Sequence, residues 1–212
     1  IPESASALRT AGYNIIIHDE PKYAFCKVVQ ELMERRPNPS IHPSAILSTE
    51  TKLGRDVSIG PYCVLEGKIS IGDGVILESG INLYDGVEIG PGTTVRAGSR
   101  IGYNPFSFGI NSTGEAYMLP AYGGVRIGSF VEIFHNVSIA RGAATNTVIE
   151  DWVRIGNQAH IGNSVYIAMG TTVCAQTDIS AQVRIGPRCW IAQSAAIRQK
   201  LEIGADSVVG MG

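Results

Sequence analysis

The chain has 212 residues, a formal net charge of −2 and 17% charged residues. It has no basic run, which excludes a general nucleic-acid binder, and no apolar stretch as long as a membrane span. Cys26, Cys63, Cys174 and Cys189 are far apart and form no CxxC, so buried thiols in the cytoplasm are expected rather than a zinc site or disulfide framework. The first residues show no secretory signal.

Residues 1–40 differ from the rest. Tyr13–Ile17 reads as a strand and Pro21–Arg36 as a helix. Asp19 or Glu20 is the expected cap, Pro21 suits the first turn, and Phe25, Val28, Val29, Leu32 and Met33 make one apolar face. We expect the tail of a small α/β domain or a short cap.

From residue 41 a six-residue beat takes over. Counting in sixes from Ile41 to Ile101, from Ile127 to Ile139 and from Ile149 to Val209 meets an aliphatic residue at every step. Two residues before the beat sit small or aliphatic residues such as Val57, Cys63, Val87, Val153 and Cys189. Side chains alternate along a strand, so both positions point inward and the residue between them points out. Each hexad is then one short strand and one corner, and three hexads close a triangular coil. Gly often follows the beat, as in Ile71-Gly72 and Ile185-Gly186, where a corner calls for φ > 0. The expected fold is all-β, a parallel β-helix of about eight coils spaced by roughly 4.8 Å, over residues 41–212. The chain opens on Ile1 rather than Met and stops in mid-pattern at Val209-Gly210-Met211-Gly212, so a fragment is expected.

Two breaks interrupt the beat. Residues 102–126 form an ejected loop led by three aromatics, Tyr103, Phe106 and Phe108, which favours a functional arm. Four extra residues within Arg141–Val148 read as a bulge at one corner.

Several stretches together go beyond a generic hexapeptide repeat: "EPKY" opening the helix, "IHPSAILSTETKLG" starting the coil, "NPFSFG…GEAYMLPAYGGVRIG" in the loop, "ARGAATNTVIED" in the bulge, and "VVGMG" at the end. The chain resembles the UDP-3-O-acylglucosamine N-acyltransferase family of lipid A biosynthesis, over essentially its whole length. The resemblance implies a left-handed coil, a homotrimer with active sites between neighbouring prisms, and an acyl group passed from acyl carrier protein to a nucleotide-linked amino sugar. Relatives on this scaffold use acetyl or 3-hydroxyacyl groups and often coenzyme A. No metal and no covalently bound cofactor is implied. The family's catalytic histidine falls at Asn163, and asparagine is not a base at neutral pH. The acidic bulge "DRGALDDT" is "ARGAATNT" here, without its carboxylates. Tyr23 matches a uracil-stacking tyrosine, with Glu20 where the family has asparagine.

Acylating an amine requires a base for its proton, a backbone N–H for the oxyanion and a groove for the donor arm. Histidine suits the first requirement. His160 precedes beat residue Ile161 and so points outward. Counted through the bulge, Ser138 lies one coil below it and Asp178 one coil above, where a carboxylate would orient the imidazole. The bland alternative is a polar ladder on a solvated face. His135, in "IFHNV", has the family's local motif but a different corner from Asn163; its column is Asn157, Ala175 and Gln193, and a hydrogen bond to Asn157 would make it structural. We therefore expect His160 with Asp178 as base, His135 second, and Asn163, Asn157, Tyr23, Tyr103, Phe106 and Phe108 binding substrate. His18 and His42 are weak candidates. Outward aromatics Tyr84, Phe130, Phe134, Tyr166 and Trp190 are expected at subunit faces or the ligand groove. The histidine spacing does not suit a γ-carbonic anhydrase, and the column gives no sharply held serine for hydrolysis. The rival expectation is a non-catalytic trimeric paralogue that binds sugar nucleotide or carrier protein.

Overall fold

A computed structural model describes residues 15–33 and 37–212. The chain divides into two compact units, Ile1–Arg36 and Pro37–Gly212.

In the first unit one helix runs Pro21–Met33. Its first backbone bond runs from the Ala24 N–H to the Glu20 carbonyl at 3.0 Å, so Glu20 is the cap residue. His18 Nδ1 accepts the Glu20 N–H at 2.9 Å, which fixes the entry turn. The end expected at Arg36 lies outside the described residues, as do Tyr13 and Asn14. Ile15–Ile17 form no strand. A strand needs a ladder partner, and none of the unit's described residues supplies one.

The second unit is a solenoid of three eight-stranded parallel sheets. We call them face I, which begins with Ile46–Leu47; face II, which begins with Lys52–Leu53; and face III, which begins with Ser58–Ile59. An isolated bridge from Ile41 to Ile59 starts a further turn below them. Beat residues stack coil on coil: on face I, Ile101 pairs with Ile139, Ile139 with Ile161, and Ile161 with Ile179. All four are completely buried, as are Val87 and Val153 two residues before a beat. Each such aliphatic side chain contributes about 1.5–3 kcal/mol by leaving water, so the ladder is the main source of stability. Where the inner position is polar, its hydroxyl serves the corner. Thr171 Oγ1 donates to the Gly186 carbonyl at 2.8 Å and accepts the Cys189 N–H at 3.1 Å. Cys189 Sγ in turn donates to the Gly204 carbonyl at 2.9 Å, which gives this buried thiol a structural use.

The corners correct one expectation. Apart from Gly102, the glycines after the beat do not supply positive φ; that conformation belongs mostly to the residue three before the beat, often not a glycine, as at Asn136, Gln158 and Ser164. Gly72 and Gly186 are needed for space instead. A Cβ on either would lie 2.6 Å from a backbone nitrogen of the next coil, Pro91 or Ala205.

Both breaks leave from the corner between faces I and II, one coil apart. The loop carries a two-stranded antiparallel hairpin, Phe108–Ile110 with Ala116–Met118. Its return limb binds the bulge above it: the Tyr122 N–H donates to the Ala143 carbonyl at 2.7 Å, and the Gly142 N–H to the Gly124 carbonyl at 3.1 Å. The bulge is tied in turn to the next coil, where Ser164 Oγ accepts the Ala143 N–H at 3.1 Å and Thr147 Oγ1 accepts the Ser164 N–H at 2.9 Å. Asn163 sits in that same turn. The two irregularities thus build one structure at one corner, beside Asn163.

Candidate functional site

His160 lies on face I directly before this corner, on the strand His160–Ile161. Its register neighbours are Ser138 below and Asp178 above, as the count through the bulge expects. His160 Nδ1 is 3.5 Å from Asp178 Oδ1, and its Nε2 is 3.4 Å from the Tyr103 hydroxyl. The imidazole is half-exposed and the Asp178 side chain 61% exposed, so the pair is open to solvent and its attraction is screened. Burial, with a smaller contribution from the Asp178 charge, pushes the Tyr103 phenol above its usual pKa. A carboxylate, an imidazole and a largely covered phenol therefore meet in one row.

The row has three chemical capacities. The carboxylate accepts only, so it favours the imidazole proton on Nδ1. Nε2 then carries the lone pair, and the phenol beside it is a donor. Such a site can take a proton from an incoming nucleophile and return it to a leaving group.

Asn163 is partly buried, and its carbonyl accepts the Gln182 N–H at 2.9 Å. The bulge that lacks carboxylates is held by other means. The Arg141 guanidinium donates to the Asp85 carbonyl, and Asn146 Oδ1 accepts the Gly124 N–H at 2.8 Å. Phe106 and Phe108 sit on the ejected arm with ring centroids 5.3 Å apart, and Phe106 is 87% exposed. Tyr23 lies in the helical unit and is exposed.

His135 is at the corner between faces III and I. Asn157 Oδ1 accepts the His135 backbone N–H at 3.1 Å and lies 3.2 Å from its Nδ1. Its Nε2 is 3.7 Å from Glu78 Oε2. Glu78 already pairs with Arg96 at 2.8 Å and accepts the Ala97 N–H at 3.1 Å. His42 bonds Ser44 within its own turn at 2.8 Å. Among the described residues no group of three His, Cys, Asp or Glu side chains is placed to hold a metal ion. No described helix is long and apolar enough to cross a membrane.

Several outward aromatics have partners within the chain. Phe130 stacks on Trp152 at 4.5 Å, Arg96 lies over Phe134, and Arg184 lies 4.6 Å above Tyr166, whose hydroxyl donates to Glu150. Trp190 is half-exposed on face III. Sequence reasoning placed Tyr103 among the binding residues but missed its contact with His160. The available signal was weak: Gly102 holds the usual glycine position after beat residue Ile101, and only the aromatic that follows it sets it apart.

Residues 68–103 match the family described as bacterial transferase hexapeptide (six repeats). A UDP-3-O-acylglucosamine N-acyltransferase of Bordetella parapertussis is 32% identical over 92% of this chain and 61% of its own length. Its namesake in Delftia acidovorans is 52% identical over 55% of this chain and 35% of its own length. The chain thus spans less than two thirds of the length of these curated relatives. Among solved structures, LpxA of Acinetobacter baumannii superposes with a TM-score of 0.70 at 21% identity, covering 80% of this chain and 66% of that one. The Campylobacter jejuni UDP-N-acetylglucosamine acyltransferase gives 0.57 at 21% identity over 81% and 68% of the two chains. At such identity the superpositions establish the fold. The chain is a left-handed β-helix, with a match to the bacterial transferase hexapeptide model at residues 68–103, and it is related in sequence to proteins named UDP-3-O-acylglucosamine N-acyltransferases.

Proposed function

We propose that this chain is the catalytic part of an acyltransferase of lipid A or surface-polysaccharide biosynthesis. It moves an acetyl or 3-hydroxyacyl group from a thioester to the amino group of a nucleotide-linked amino sugar. The donor is acyl carrier protein or coenzyme A. The observation that carries this reading is the Asp178–His160–Tyr103 row beside the corner where the loop, the bulge and Asn163 converge. The relatives' name, an N-acyltransferase of a UDP-linked acylglucosamine, supplies the acceptor class.

In this mechanism His160 Nε2 takes a proton from the amine as its nitrogen attacks the thioester carbonyl. The new C–N bond forms, and a backbone N–H holds the oxyanion. The C–S bond then breaks, and the thiolate leaves with the proton from the imidazolium. The Asp178 carboxylate steadies the imidazolium. A positioned base of this kind is worth about 10²–10⁴ in rate. Asn163 binds the acceptor, Tyr23 stacks on the nucleotide base, and Phe106 and Phe108 cover the acyl arm. The assembly is a cytoplasmic homotrimer with its grooves between prisms.

Asn163 and the bulge without carboxylates favour a second reading, a non-catalytic paralogue that binds the same ligands. Thiol release and product mass separate the two. Acetyl and 3-hydroxyacyl donors would be run against UDP- and dTDP-linked amino sugars. Amide product with any pair supports the enzyme; ligand binding with no turnover supports the paralogue.

A further inference from the structure

Tyr103 reaches His160 because the chain breaks its own alternation. Ile101 is fully buried and pairs with Ile139, and strict alternation would turn residue 103 inward as well. The register shifts there: Tyr103 pairs with Ala140, so Gly102 and Tyr103 together oppose one residue. This is a β-bulge, a device that re-aims a side chain. Gly102 has φ +93°, and a Cβ on it would lie 2.6 Å from the buried Val87 side chain. Gly102 therefore takes the inward place where only glycine fits, and Tyr103 is turned outward. The Tyr103 carbonyl accepts the Arg141 N–H at 3.0 Å, which ties the bulged strand to the insertion above it. From there the phenol passes the coil that carries Ser138 and meets His160 Nε2 at 3.4 Å, opposite the face that Asp178 occupies.

We propose that Tyr103 is a positioning residue: its hydroxyl caps His160 Nε2 in the resting site and, with Asp178 at Nδ1, holds the neutral imidazole in the Nδ1–H form. The Gly102 bulge is the device that places it. The phenol donates its hydrogen to the Nε2 lone pair, and the acceptor amine replaces it there when substrate enters. No bond is made or broken at Tyr103. The inference rests on His160 being the base, and it links the ejected loop, which begins at this bulge, to the state of that base.

The test is nitrogen NMR of histidine-labelled protein without substrate, on wild type and Tyr103→Phe, which keeps the ring and its packing. Wild type is expected to show His160 in the Nδ1–H form, and Tyr103→Phe a clear rise in the Nε2–H form. In a turnover assay Tyr103→Phe should lower kcat about tenfold with little change in KM, as for loss of a base's orientation rather than of binding. An unchanged tautomer in folded Tyr103→Phe overturns the proposal, as does a wild type that already favours Nε2–H. The NMR measurement needs no substrate, so failure of the acyltransferase reading appears separately, as an inactive wild type with the expected tautomer.

Discussion

The two histidines of the middle coils face outward with a carboxylate beside each, yet their surroundings differ. His135 is woven into the coil. One Asn157 oxygen takes its backbone N–H and lies against its ring, and Glu78 on the far side is already committed to Arg96 and a backbone N–H. The His160 ring instead meets the Tyr103 hydroxyl and the Asp178 carboxylate, at 3.4 and 3.5 Å, in place of side chains that tie down backbone. It also borders the one corner where the chain twice leaves its beat. A structural histidine sits among partners that also hold backbone, as Asn157 and Glu78 do at His135. A working one needs a nitrogen that can be released to substrate, and long contacts before substrate arrives are normal for such groups. The local motif "HNV" favours His135, and the three-dimensional setting favours His160.

This contrast can be sharpened from either side. The larger effect is expected at the working corner. Asp178→Asn removes the charge that orients His160 and should lower kcat about tenfold to a hundredfold, less than loss of the base itself because the pair is exposed. Thermal unfolding should barely change; a large loss of stability with normal turnover would make Asp178 a coil residue. At the other corner Asn157→Ala should do the reverse. It removes the shared acceptor of His135 and should cost about 1 kcal/mol of stability, read from denaturant unfolding. Turnover per folded protein should hold, against the expectation from sequence that Asn157 binds substrate; a collapse there would move the site to the His135 corner.

Much of the fold is legible in the sequence, because the hexad imposes the same demand at every step. Ile155, Ile161 and Ile167 each need an inward place, and a coil of three sides is what provides it. The register of Ser138, His160 and Asp178 follows from that count even across the bulge. The strand expected at Tyr13–Ile17 fails over Ile15–Ile17 because local β-propensity does not supply a partner. The corner glycines were legible as a recurring position within the repeat but not as to cause, since crowding by the next coil and positive φ leave the same letter. Tyr103 was the hardest to read. It is 57 residues from His160 in the chain, and its direction depends on a bulge that runs against the alternation rule.

The most direct test of the account is turnover of His160→Ala and His135→Ala side by side, with circular dichroism confirming the coil in both. The account expects His160→Ala to lose about 10²–10⁴ in kcat and His135→Ala to retain turnover close to wild type. A His160→Ala variant that turns over normally would contradict it. If His135→Ala then collapsed, the base would be His135; if neither did, the amine must reach the thioester already deprotonated.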